Sequence, residues 1–124
     1  MKLSEYFEKT QGHGILGTAD SAGLVDAAVY ARPYFVDEDT VAFVMAERLT
    51  HRNLQSNPHA VYLFIQDGPG YAGKRLYLKK TKEDSSDDMI KQICRKCDYS
   101  FYQDRLARFV VFFHVDKVLP LVGS

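Results

Sequence analysis

The sequence predicts an α+β fold, mainly β and wrapped around a small barrel, and three observations carry that prediction. Short β-type runs such as "ILGTAD" and "LVDAAVYARPYFV" are separated by hairpin-length turns, "DSAG" and "DED". The run "TVAFVMA" is apolar at nearly every position, which suits a strand buried on both faces. Three helical stretches stand singly, one opening the chain and two between groups of strands, without the regular β-α alternation of a parallel sheet.

Taken in order, Leu3, Tyr6, Phe7 and Thr10 lie at helical spacing behind Ser4, a cap residue followed by Glu5, and Gly12 and Gly14 stop that helix. Three strands follow as a meander, ending in "TVAFVMA". "RLTHRNLQS" reads as a second helix that Pro58 terminates. "AVYLFIQ" and "KRLYLKKTKE", joined by the glycine-rich "DGPGYAG", read as a hairpin. "SSDDMIKQICRKC" is a third helix, with Ser at the cap, Asp87 and Asp88 in the first turn and basic residues in the last turns. Met89, Ile90, Ile93, Cys94 and Cys97 line one of its faces. "RFVVFFHVDKVLPL" closes the chain as an apolar strand that must pair within the barrel or with another subunit. The sum is about six strands and three short helices in a single domain, residues 1–124, since the composition shows no shift along the chain.

Composition narrows the function. Sixteen basic residues balance sixteen acidic ones, so no global field favours nucleic acid or an anionic membrane, although a local basic cluster can hold a small anion. The N-terminus has no long apolar run, so neither a signal peptide nor a membrane span is expected, and a cytoplasmic location is. Cys94 and Cys97 lack a second pair or flanking His for zinc, and their place on an apolar stripe favours packing over redox chemistry. His13, His59 and His114 are scattered, so no metal site is expected. No nucleophile motif, paired carboxylates or nucleotide-binding fingerprint occurs, and no catalytic residue is assigned.

One stretch stands out. In "RLTHRNLQSNP" a helix begins where a buried strand ends, with Arg48, Thr50, His51 and Arg52 at its mouth. The first backbone N–H groups of a helix lack partners and its dipole is positive there, so Thr50 as cap between two arginines would form an anion site suited to a phosphate. Thr50 merely capping the helix, with solvated arginines, fits the same spacing.

The order "AVYARPYFV", "TVAFVMAE", "RLTHRNLQSNPHAVYLF" resembles the flavin-binding split β-barrel of the pyridoxamine 5′-phosphate oxidase superfamily, and the small FMN-binding proteins within it have a similar length. The resemblance covers most of the chain and implies a six-stranded antiparallel split barrel that binds FMN. It implies that Val29, Tyr30, Ala31 and Arg32 run alongside the isoalloxazine ring through backbone groups, and that Phe43 and Val44 wall the ring. Arg48, Leu49 and Thr50 would hold the phosphate, Asn53 would support that cluster, and Lys74 and Arg75 would reach the cofactor from the next strand. Leu49 and Thr50 stand where oxidases of the superfamily carry two basic residues, so Arg48, Arg52 or a more distant cation would supply the charge. His51 neighbours that phosphate, and Tyr71 would either stack on the flavin or pack on its own hairpin.

The chain stops at "VLPLVGS", and the resemblance does not extend to the C-terminal Arg and His segment with which pyridoxamine 5′-phosphate oxidases grip their substrate, so that particular activity is not the one expected. The implied state is a two-fold homodimer with the cofactor at the subunit interface. The implied function is an FMN-dependent oxidoreductase serving a small-molecule or protein electron partner. A non-enzymatic flavin-binding or electron-carrier module, and a barrel that binds haem or a deazaflavin, are the alternatives.

Overall fold

The computed structural model describes residues 1–94 and 108–123. Three helices, α1 (Leu3–Lys9), α2 (Leu49–Ser56) and α3 (Asp87–Cys94), accompany strands β1 (Gly12–Ala19), β2 (Val25–Tyr30), β3 (Tyr34–Asp37), β4 (Thr40–Met45), β5 (His59–Gln66), β6 (Gly73–Asp84) and β7 (Phe109–Pro120). The strands form one antiparallel sheet in the order β2-β1-β5-β6-β7-β4-β3.

The count is seven strands where six were expected, and Pro33 is the reason. It has no N–H to give a ladder, and the run read as one strand breaks around it into β2 and β3. The break determines the architecture. β2 and β3 occupy the two outer edges of the sheet, yet only residues 31–33 join them. Four Cα steps reach at most about 14 Å, so the sheet must curl until its edges approach. No ladder joins β2 to β3, which leaves the barrel split.

β4 is buried on both faces, as its composition implies. Val41, Phe43 and Met45 enter the barrel core with Phe7, Leu16, Tyr62, Phe64 and Phe113. Ala42 and Val44 face outward and are covered by Ile90 and Ile93 of α3, together with Val110 and Phe112. Cys97 lies outside the described residues. The C-terminal strand pairs inside the barrel: β7 runs along β6 through most of its length and along β4 from Phe109 to His114. The β5–β6 hairpin forms as predicted. In its loop, Gly68 and Gly70 adopt positive φ with open space around them, so they serve the turn.

Ser4 is not the cap of α1. The N-cap is Lys2, without a side-chain bond, and Ser4 sits within the first turn, its hydroxyl and N–H donating to the Glu38 carboxylate at the tip of the β3–β4 hairpin. A long-range acceptor thus replaces the local cap. At the other end of α1, Arg32 Nη1 donates to the carbonyls of Phe7 and Thr10, each at 2.9 Å. Arg32→Met should therefore loosen α1 and lower stability by about 1–2 kcal/mol, read as a lower urea midpoint; an unchanged midpoint would show that this clasp contributes nothing.

Candidate functional site

Three segments border the split. β3 covers β4 only along Thr40–Ala42, so the backbone from Phe43 to Met45 pairs with β7 on one side and with no described strand on the other. Opposite stands the outer edge of β2, whose ladder among the described residues is with β1. The structure thus brings Val29–Tyr30 and Phe43–Val44 to the two lips of one opening, with the rings of Tyr30 and Phe43 meeting edge to face at 6.0 Å.

The side chains at these lips are mostly committed inward. Phe43 belongs to the barrel core and Val44 to the layer under α3, whereas Val29 is exposed. The Tyr62 hydroxyl lies 3.1 Å from the Tyr30 carbonyl and 2.9 Å from that of Ala31, which fixes the turn out of β2. What the lips offer a ligand is therefore chiefly backbone and the flank of Val29.

Three residues separate the end of β4 from the start of α2. The sequence placed Thr50 at its cap; the structure places Arg48 there, in extended backbone and without a side-chain cap bond. Thr50 is the second helical residue, 3% exposed, because its side of the helix faces the barrel with His51, Asn53 and Leu54. No acidic residue occupies the first turn. The helix end therefore keeps its uncompensated N–H groups and positive dipole, with Arg48, Leu49 and Arg52 all exposed beside it.

Two contacts fix the orientation of α2. Asn53 Nδ2 donates to Thr18 Oγ1 of β1 at 3.1 Å in buried surroundings. On the other flank the His51 ring stacks on Phe109, with 3.8 Å between centroids and 6° between planes. Its Nε2 lies 3.1 Å from Glu83 Oε2. Glu83 also accepts from Gln55 at 3.0 Å and from Lys80 at 2.8 Å. Burial pushes the Glu83 carboxyl up, but donors Lys80, Gln55 and His51, with the attraction of His51, outweigh it and hold the pKa down at about 2.

This network was not among the sequence-predicted site residues. Gln55 follows His51 by one helical turn, a usable hint, but Glu83 lies 32 residues from His51 with nothing local to link them.

Lys74 and Arg75 sit elsewhere. Lys74 Nζ lies 4.6 Å from the centre of the Tyr6 ring, and Arg75 Nε donates to the Pro120 carbonyl at 2.9 Å while its Nη2 donates to that of Gly123. Eight strand steps along β6 separate Arg75 from Glu83 beside α2, roughly 25 Å. One chain alone does not bring this pair to Arg48 and Thr50. Tyr71 is 83% exposed at the hairpin tip and does not pack on its own strands. Among the described residues no cluster of His, Cys, Asp or Glu could hold a metal, and no helix is long and apolar enough to cross a membrane.

The sequence matches no family model and no curated protein. Solved structures do share the fold. An FMN-binding protein from Syntrophomonas wolfei subsp. wolfei superposes with a TM-score of 0.83 at 18% identity, over 99% of this chain and 86% of its own. A pyridoxinephosphate oxidase family protein from Clostridium acetobutylicum, related to general stress protein 26, gives 0.69 at 13% identity, over 98% and 89%. HutZ, the haem storage protein from Vibrio cholerae, gives 0.65 at 17% identity, over 95% and 91%.

Proposed function

Starting from the split-barrel fold shared with FMN-binding and pyridoxamine 5′-phosphate oxidase-like proteins, we propose that this chain is an FMN-binding flavoprotein and acts as an oxidoreductase. The observation that carries the reading is the adjacency of an open split, edged by Val29–Arg32 and Phe43–Val44, to a helix start without side-chain cap or first-turn acid and flanked by Arg48 and Arg52. The residues fit the group: the backbone of Phe43 and Val44, which meets no described strand on that side, suits a flavin ring's hydrogen-bonding rim, and the helix end suits a phosphate.

FMN, when bound, supplies hydride or electron transfer, so the protein needs no acid or base of its own. Arg48 and the first-turn N–H groups of α2 hold the terminal phosphate, and Thr50 lies close behind them. Asn53 and the His51–Glu83 contact keep the helix end aimed at the split. Lys74 and Arg75 would reach a cofactor only from a second copy. A two-fold homodimer with the cofactor at its interface accommodates them, and exposed Val25, Val29 and Val118 leave apolar surface for that copy to cover.

The protein as purified should show flavin absorbance and run at twice the chain mass. Extracted ligand with a haem or deazaflavin spectrum would replace FMN in this reading. Arg48→Ala should weaken FMN binding about tenfold or more, with Thr50→Val weaker in effect; unchanged affinity in both would remove the phosphate assignment. Saturable reduction of a small molecule separates an enzyme from an electron carrier.

A further inference from the structure

His51 brings an ionisable ring into the first turn of α2, where it is only 7% exposed. The ring lies flat against Phe109, which stands in register with Met45 at the end of the strand leading to the helix. It is therefore fixed beside the helix mouth.

The bonds around the ring identify which nitrogen titrates. Gln55 Nε2 has two hydrogens and two oxygen acceptors, the His51 carbonyl at 3.1 Å and Glu83 Oε1 at 3.0 Å. The reversed amide would set its oxygen against both of them, so this orientation holds. With both hydrogens engaged, Gln55 has none for His51 Nε2, although the two nitrogens lie 3.1 Å apart. Nε2 therefore carries a hydrogen of its own and donates it to Glu83 Oε2 at 3.1 Å. That leaves Nδ1 as the atom that gains and loses a proton. Among the described residues Nδ1 has no hydrogen-bond partner, and it is not sealed from solvent. Being bonded to Cγ, it stays with the first turn, where helical side chains lean back toward the N-terminus.

The charged groups around the ring act in opposite directions. Arg48 and Arg52 on α2, the helix dipole, Lys80 on β6 and Arg108 beside Phe109 all oppose a positive ring. Glu83 attracts one, with Glu47 ahead of the helix and Asp84 next along β6 of the same sign. Glu83 is ionised wherever a histidine titrates, since its pKa is held down at about 2. An anion seated at the mouth of α2 offsets the arginines and the dipole, and so favours the charged ring.

We propose that anion binding at the mouth of α2 is coupled to protonation of His51 Nδ1: the bound anion draws a proton onto the ring, and the charged ring tightens the anion. His51 thereby regulates the site without touching its ligand. This coupling rests on the reading above only for the anion site and needs no flavin ring. Because binding takes up a proton, affinity rises as pH falls through the titration of the ring.

Inorganic sulfate and FMN are the probes. Sulfate keeps its charge between about pH 5.5 and 8, the range in which histidines titrate, whereas the phosphate of FMN loses charge on acidification; sulfate thus isolates the contribution of the ring. The His51 ring signal of the wild-type protein, followed by NMR and recognised by its contact with Phe109, should titrate at higher pH when sulfate is present. Arg48→Ala should reduce that displacement. Sulfate affinity, read from the amide signals of α2, should rise about fivefold from pH 8 to pH 5.5 in the wild type and stay flat in His51→Gln. A ring titration that neither anion moves overturns the coupling, and so does a His51→Gln protein that keeps the wild-type pH dependence. FMN binding with the ring unmoved refutes the coupling and spares the flavoprotein reading. Sulfate moving the ring in a protein that binds no FMN does the reverse.

Discussion

Gly14→Ala is expected to destabilise the protein by about 3 kcal/mol or more, although the change adds one methyl group to a strand. In most strands that exchange is mildly favourable, because Ala loses less backbone freedom on folding. Here the new Cβ would overlap the phenol of Tyr62. Tyr62 cannot step aside: it is 0% exposed, its ring lies 5.0 Å from that of Phe43 and 6.2 Å from that of Phe7, and its hydroxyl is held by the Tyr30 and Ala31 carbonyls. Moving the ring would release both carbonyls and leave a void in a core packed without slack. Gly17→Ala, on the same strand but facing outward into ordinary contacts, is the matched control and should be neutral or stabilising by about 0.5 kcal/mol. Urea midpoints of the two variants decide the matter; equal midpoints would mean that the core yields to the extra methyl. Because Tyr62 anchors the turn out of β2, Gly14→Ala should also loosen one lip of the split and weaken FMN binding.

The sequence made legible what local composition controls. "TVAFVMA" announced burial on both faces, and both layers are found, one in the barrel and one under α3. The helix after β4 and the β5–β6 hairpin followed from Pro58 and the glycine loop. Long-range geometry stayed hidden. The apolar run through Pro33 looks continuous, and only the sheet order shows that its halves lie on opposite edges. Thr50 carries good capping chemistry, but the helix rotates it toward the barrel because His51, Asn53 and Leu54 must also be buried, leaving Arg48 at the cap. For the candidate site, "RLTHRN" identified the cationic helix mouth, while Glu83, 32 residues from His51, becomes its neighbour only through the fold.

Glu83→Gln should cost stability at neutral pH, and the loss should shrink as the solution is acidified. The folded-state pKa of about 2 lies below the ordinary carboxylate value of 4.5 despite burial, because Lys80, Gln55 and His51 stabilise the anion. A depressed carboxylate contributes stability that is fully present above its unfolded pKa and is lost as pH falls through its folded one, so the window runs from about pH 4.5 down to about 2. The whole shift would correspond to an upper limit of about 3 kcal/mol. With the side chain 27% exposed, solvent screening reduces this, and about 1–2 kcal/mol is expected. Gln keeps the shape and one acceptor but loses the charge that holds Lys80 and His51. Wild type and Glu83→Gln should therefore differ most in urea midpoint near neutrality and converge toward pH 3; a gap that stays constant across that range would show that the carboxylate's charge is not what joins α2 to β6. The same contact keeps the mouth of α2 in place, so FMN affinity in Glu83→Gln should fall at neutral pH, although the phosphate meets neither Glu83 nor His51 directly in the reading above.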